Sequence, residues 1–197
     1  MKKETLSVRK LTRIAILSAL AASLMMIEFQ LPIAPSFYKM DFSEVAVLFG
    51  GFALGPMAAI WIEALKIIIN TLITGTTTAY VGEFANFIIG LAMSLPAAII
   101  YKRNKSKKSA LLGLILGTIM MCIVGYLLNV YVVIPAYVKI AHYPLDAIIG
   151  MGNAIFKSVV SVKTLALFCT TPFNLIKGIM VSLITFISYK KISPLLK

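Results

Sequence analysis

The stretch from Lys102 to Pro135 reads KRNKSKKSALLGLILGTIMMCIVGYLLNVYVVIP. Residues 102–108 hold Lys102, Arg103, Lys105, Lys107 and Lys108, and from Ala110 to Pro135 there is no charged side chain. A helix needs roughly 20 predominantly apolar residues to cross the hydrocarbon of a bilayer, and this run is long enough. The basic cluster before it marks a cytoplasmic flank, because Lys and Arg of short loops stay on the inner side. The rest of the chain follows the same pattern. Of 197 residues, 60% are hydrophobic and 13% charged, and the mean hydropathy is +0.95. A soluble domain is about 45–50% apolar and about 25% charged. So few polar groups cannot cover a water-facing surface, which excludes a soluble enzyme. A disordered chain is excluded as well, because so apolar a chain collapses. The sequence reads as an all-α, integral membrane protein forming a single domain over residues 1–197.

Working outward, the spacing predicts six transmembrane helices. The first runs from Leu11 to about Glu28 and stops before Pro32 and Pro35. The second, Glu44 to Leu54, is broken at Gly55-Pro56, and the third follows from Met57 to Ile73; one kinked helix is the alternative for this pair. The fourth covers Glu83 to Tyr101, the fifth Ala110 to Pro135, and the sixth Pro172 to about Tyr189, with Thr171 as its cap. Residues 138–171 carry His142, Asp146, Lys157 and Lys163 and are too polar to span. They are expected to form an interfacial helix or a lid on the outer face, since so long a connection is usually functional. No internal repeat is visible.

The net charge of +12 has the sign of a nucleic-acid binder, but the charges lie in short clusters between apolar runs. Topology accounts for them, and no nucleic-acid partner is expected. With the N-terminus inside, Lys2, Lys3, Arg9, Lys10, Arg13, the 102–108 cluster, Lys190, Lys191 and Lys197 are cytoplasmic. Only Lys39, Lys139, Lys157 and Lys163 fall outside, so both termini are expected in the cytoplasm. The basic start before an apolar run resembles a signal peptide, yet the run is long enough to span and reads as a retained first helix. Cys122 and Cys169 have no metal-ligand or CxxC spacing and read as apolar residues. His142 reads as a solvated loop residue.

Polar groups inside a membrane are costly, so their placement carries information. The predicted topology brings Glu28, Asp41, Asn70, Glu83, Asn86, Asn129, Asn174 and Lys177 toward the outer leaflet. Asn174 and Lys177 are three apart and share a helical face. The set reads as a pocket open to the outside. Glu63 and Lys66, also three apart and deeper, read as a structural ion pair. In the first helix Ala15, Ala19 and Ser23 form a ladder of small residues, widened by Ser18 and Ala22. Such a stripe packs helices closely, either within the bundle or against another membrane subunit. No phosphate loop, HExxH or GxSxG motif is present, and a single His cannot build a His-rich metal site. Enzymatic activity and a metal are not expected, and energy for active transport would come from a partner.

Several stretches together resemble the substrate-binding S components of energy-coupling factor (ECF) vitamin transporters, specifically the riboflavin-binding members. They are Ala15-Ile16-Leu17-Ser18-Ala19, Asp41-Phe42-Ser43-Glu44-Val45, Phe52-Ala53-Leu54-Gly55-Pro56, Phe84-Ala85-Asn86-Phe87, Leu128-Asn129 with Pro135, and Pro172 to Gly178. The resemblance covers nearly the whole chain; residues 74–82 and Glu83 depart from it. It implies a six-helix bundle in a bacterial plasma membrane with riboflavin held near the outer face. It further implies that Asn129, Asn174 and Lys177, with main-chain groups around Met40, line the flavin pocket. Asp41 and Asn86 join them as candidate ligand-binding residues. The Ala15/Ala19 face is implied to dock on a transmembrane coupling subunit that two ATPase subunits drive.

The chemistry agrees. An Asn amide offers a donor and an acceptor to the pyrimidine-like edge of a flavin, which suits Asn129 and Asn174. Lys177 suits the ribityl hydroxyls, and Met40, Phe84 or Tyr131 could wall the rings. Riboflavin is here a transport substrate, not a catalytic cofactor. A stand-alone facilitator or proton-coupled carrier using Glu63, Lys66 and Glu83 is the alternative, and a membrane enzyme comes third.

Overall fold

A computed structural model describes residues 7–192 of the chain. Lys2, Lys3 and Lys197, used above for orientation, lie outside the described residues. Helix α1 spans Val8–Met26, with the Ser7 hydroxyl accepting from the Lys10 N–H at 3.3 Å to cap its first turn. A two-stranded antiparallel hairpin follows, β1 Phe29–Gln30 against β2 Lys39–Met40. Helices α2 (Ser43–Leu54) and α3 (Pro56–Thr74) are separate. Gly55 divides them at φ +100°, a conformation that a side chain would strain, and Pro56 opens α3 where its missing N–H is not needed. The single kinked helix is thereby excluded.

Helix α4 spans Val81–Arg103, α5 Lys107–Lys139, α6 Leu145–Ile155 and α7 Val162–Ile192. The last helix therefore begins well before Pro172, which corrects the expected start. Residues 138–171 are not one outer segment: they hold the end of α5, α6 and the first turns of α7. Proline explains the difference. Pro135 and Pro172 both lie inside continuous helices, each two residues beyond a π-helical turn, Asn129–Val133 and Ala166–Thr170. A proline ring collides with the carbonyl four residues back, here Tyr131 and Phe168, and the widened π turn makes room for it.

Among the described residues, α3, α4, α5 and α7 are long and apolar enough to cross a membrane. Helix α1 equals α3 in length, 19 residues each, but carries Arg9, Lys10 and Arg13. Helix α2, at 12 residues, extends about 18 Å and is buried on every side from Ser43 to Phe52. It forms the centre around which the bundle is built. Helices α1, α2 and α3 pack on one another, α5 joins α4 to α7, and α2 contacts α4 and α7. Helix α4 packs closely on α5, where a β-carbon on Gly117 would lie 2.4 Å from the Met93 carbonyl oxygen.

The polarity is inverted relative to a soluble bundle. Leu72, Leu112, Ile119, Ile123, Leu183 and Ile187 are exposed, while Glu44, Glu63, Lys66 and Asp41 are buried. Only a hydrocarbon solvent makes that arrangement favourable. The chain is an all-α multi-pass membrane protein with a small hairpin at one end. At the other end the rings of Phe52, Tyr101 and Tyr189 close the core, Phe52 to Tyr101 at 4.5 Å between centroids.

Candidate functional site

At the hairpin end a cavity of about 110 Å³ opens between the loop before α2, the first turns of α2 and α4, and the π turns of α5 and α7. The two π turns determine which side chains reach it. Asn129 and Val133 come from one, and Thr170 from the other. Thr171 satisfies the widened turn by donating its hydroxyl to the Ala166 carbonyl at 3.0 Å.

Of the residues expected at the site, Asn86, Asn129, Asn174 and Lys177 line the cavity. Asn129 is fixed in orientation. Its Nδ2 donates to the Gly125 carbonyl at 2.8 Å, and because a carbonyl can only accept, Oδ1 is the atom left for the cavity. Asn174, 4% exposed, has its Nδ2 buried without a hydrogen-bond partner. Lys177 is held by Asp41, whose Oδ2 accepts from Nζ at 2.7 Å. Asp41 Oδ1 accepts from the Ser43 N–H at 2.8 Å and from the Ser43 hydroxyl, a turn that starts α2. Burial alone would raise the Asp41 carboxyl, but the charges of Lys177 and Lys66 and the bonds from Lys177 and Ser43 outweigh it and hold it below the ordinary aspartate value.

The other expected site residues lie elsewhere. Phe84 is 51% exposed and Tyr131 67%, both away from the cavity. Phe84 precedes the lining residue Ala85 and is rotated off its face, and Tyr131 is two residues from Asn129, a spacing that does not share a face. Met40 is fully buried in the core beneath the hairpin, and its neighbour Lys39 lines the cavity instead. Asp41 lies behind the wall and acts on Lys177 rather than on the cavity. Asn70 accepts from Thr74 at its own helix end. Glu83 accepts from the Thr78 hydroxyl at 2.7 Å, fastening the loop before α4.

Other residues were not anticipated. The Tyr38 hydroxyl donates to Asn129 Oδ1 at 2.9 Å and therefore accepts from the Thr170 hydroxyl at 2.6 Å. Burial pushes the Tyr38 phenol up, so it stays a donor at any physiological pH. Its ring lies 4.5 Å from Phe37 and 5.5 Å from Phe173, and Phe37 meets Tyr137 at 6.0 Å, giving the cavity an aromatic wall. Glu44 also lines the cavity and binds Lys66 at 2.8 Å, while Glu63 meets the same ammonium at 2.6 Å. The expected Glu63–Lys66 pair is thus a triad, with Asn86 Oδ1 accepting from Lys66 at 3.3 Å. An acidic residue at the head of an apolar run was the signal for Glu44. Nothing in the sequence marked Tyr38.

Both lysines of the wall are paired, Lys39 with Glu28 across the hairpin and Lys177 with Asp41. The cavity therefore offers amides, hydroxyls, aromatic faces and the Glu44 carboxylate, without a spare positive charge. Such a lining suits an uncharged, flat, hydrogen-bonding molecule better than an anion.

A family model described as ECF transporter, substrate-specific component, matches residues 9–189. A riboflavin transporter, FmnP, of Bacillus subtilis (strain 168) is 33% identical over 190 residues, which are 96% of this chain and 94% of the relative. A riboflavin transporter, RibU, of Staphylococcus aureus (strain TCH60) is 35% identical over 189 residues, with 96% and 93% covered. A solved structure of the S component of a bacterial ECF transporter superposes with a TM-score of 0.74 at 35% identity, covering 95% of this chain and 97% of the other.

Proposed function

The chain belongs to the family of ECF transporter substrate-specific components, and from that premise we propose that it captures riboflavin for an ATP-driven importer. As such a component it is a substrate-binding subunit in a bacterial membrane, not an enzyme, and it works with an energising module. The names of its relatives support riboflavin, and the observation that carries the reading is the pair of buried amides, Asn129 and Asn174, at a cavity walled by Phe37, Tyr38 and Phe173. Asn129 Oδ1 suits the imide N–H of the flavin, Asn174 Nδ2 suits a ring carbonyl, and Asn86 and Lys177 suit the ribityl hydroxyls.

Small-molecule sites usually measure about 300–1,000 Å³, so a flavin requires more room than 110 Å³. Tyr38 stands where that room has to come from, because its hydroxyl occupies the Asn129 acceptor. Helices α1 to α5 and α7 serve in this reading as the six membrane helices, with the cavity outward and both termini cytoplasmic. The charges of residues 102–108 and of Lys190 and Lys191, at helix ends away from the cavity, support that orientation. Ala15, Ala19 and Ser23 are exposed on α1 and form the face for a transmembrane coupling subunit that two ATPase subunits drive.

The purified protein is expected to carry a flavin spectrum that denaturation releases, and to quench riboflavin fluorescence on titration. A colourless protein that leaves the fluorescence unchanged overturns the assignment. Riboflavin monophosphate should bind more weakly, because Asp41 and Glu28 neutralise the lysines that would meet its phosphate; equal affinity would count against this pocket chemistry.

A further inference from the structure

Gly125 lies on α5 one turn before the π segment, and two observations meet there. Its carbonyl receives both the main-chain N–H and the side-chain Nδ2 of Asn129. Its bare Cα faces Asn174, whose Nδ2 lies 2.1 Å and Cγ 3.3 Å from where a β-carbon would be built. The amide of Asn174 thus occupies the volume a side chain at 125 would take. That nitrogen is also buried without a partner, a state that costs free energy and is kept where a ligand supplies the missing acceptor.

We propose that Gly125 is a positioning and specificity-determining residue: its carbonyl turns the Asn129 oxygen to the cavity, and its missing β-carbon seats the Asn174 amide beside it as a donor. Both residues line the cavity, and together they supply it with an acceptor and a donor, the complement of an imide N–H and a neighbouring ring carbonyl. The proposal rests on the riboflavin reading and deepens it by assigning what sets the pattern. Outside its own helix backbone, the three atoms nearest the new β-carbon belong to side chains, Asn174 Nδ2 and Cγ and Ile89 Cδ1, with the mobile end of Asn174 nearest. An alanine is therefore accommodated by swinging that amide away, while the main-chain carbonyl still holds Asn129.

The test measures riboflavin and 3-methylriboflavin binding by fluorescence quenching for wild type, Gly125→Ala, Asn174→Ala and the double variant, with melting temperature as the folding control. Gly150→Ala, where a β-carbon meets nothing within 4 Å, is expected to behave as wild type. Gly125→Ala should weaken riboflavin about tenfold or more, the worth of a lost ligand hydrogen bond, and keep the rejection of the 3-methyl analogue that Asn129 provides. In the Asn174→Ala background the same change should cost nothing, and that background removes the clash should Gly125→Ala alone fail to fold. Unchanged affinity in Gly125→Ala overturns the proposal, as does an equal loss in both backgrounds, or loss of discrimination against the 3-methyl analogue. A wild type that does not bind riboflavin overturns the ligand reading itself and the proposal with it.

Discussion

Lys177 and Asp41 are a buried pair joined at 2.7 Å, and what each does depends on the other. Replacing Asp41 by Asn leaves an ammonium in a closed interior without its counter-charge, which costs about 3–5 kcal/mol. A marked drop in melting temperature of the detergent-solubilised protein is the expected outcome, and an unchanged value would mean that water reaches Lys177. The pH dependence has a definite sign. The Asp41 carboxyl is held below its unfolded value of about 3.9, so its stabilisation is complete above that value and is lost as pH falls through the folded one. Melting temperatures should show no Asp41 contribution to pH dependence between about pH 5 and 8, and the loss should begin only below about pH 4. Tyr38 gives a second prediction. Tyr38→Phe frees the Asn129 acceptor in the unliganded protein, so riboflavin no longer competes with the phenol, and affinity should rise severalfold in a quenching titration. A fall would make Tyr38 a ligand contact. At this scale Asn129, Asn174 and Lys177 were legible because polar groups in an apolar run need a reason. Tyr38 was not, since an aromatic residue in a proline-bearing loop suits many environments.

The π turns of α5 and α7 lie where local sequence predicts helix ends and the helices instead continue. Read locally, each proline predicts a boundary, Pro135 an end and Pro172 a start, because a regular α-helix does not hold one in its interior. A widened turn can, and whether it forms depends on the packing around it. The same turns carry Asn129 and Thr170 to the cavity, so the local irregularity and the site share a cause. Element breaks with a purely local cause were readable: Gly55-Pro56 ended α2 and opened α3 as expected. Close helix contact is testable here. In Gly117→Ala the new β-carbon meets the Met93 carbonyl, which is backbone and cannot rotate aside, so α4 and α5 must part. A destabilisation of about 1–3 kcal/mol is expected from thermal melting, against little change for Gly150→Ala. Equal behaviour of the two variants would mean that the helices tolerate separation.

For the whole molecule, the exposed face of α1 is the surface proposed to dock on a coupling subunit. Ala15, Ala19 and Ser23 remain at the surface, while Ile14, Leu17, Ser18, Ala21 and Ala22 pack inward, so the ladder does not pack within the bundle. Ala19→Leu should therefore abolish riboflavin uptake in cells that supply the energising module and leave binding by the purified protein intact; loss of binding would instead assign the stripe to the bundle. The sequence by itself determined that this protein lives in a membrane, since its composition and the blocks of charge between apolar runs are summed properties that no packing can alter. It also determined most helices, because their length and their breaks are local. Only the tertiary structure decided that Glu44 joins Glu63 and Lys66, that Asp41 serves Lys177, that Phe84 and Tyr131 turn away, and that Tyr38 reaches Asn129. Those outcomes depend on how helices far apart in the chain rotate against each other, and a pattern repeating every few residues does not encode that rotation.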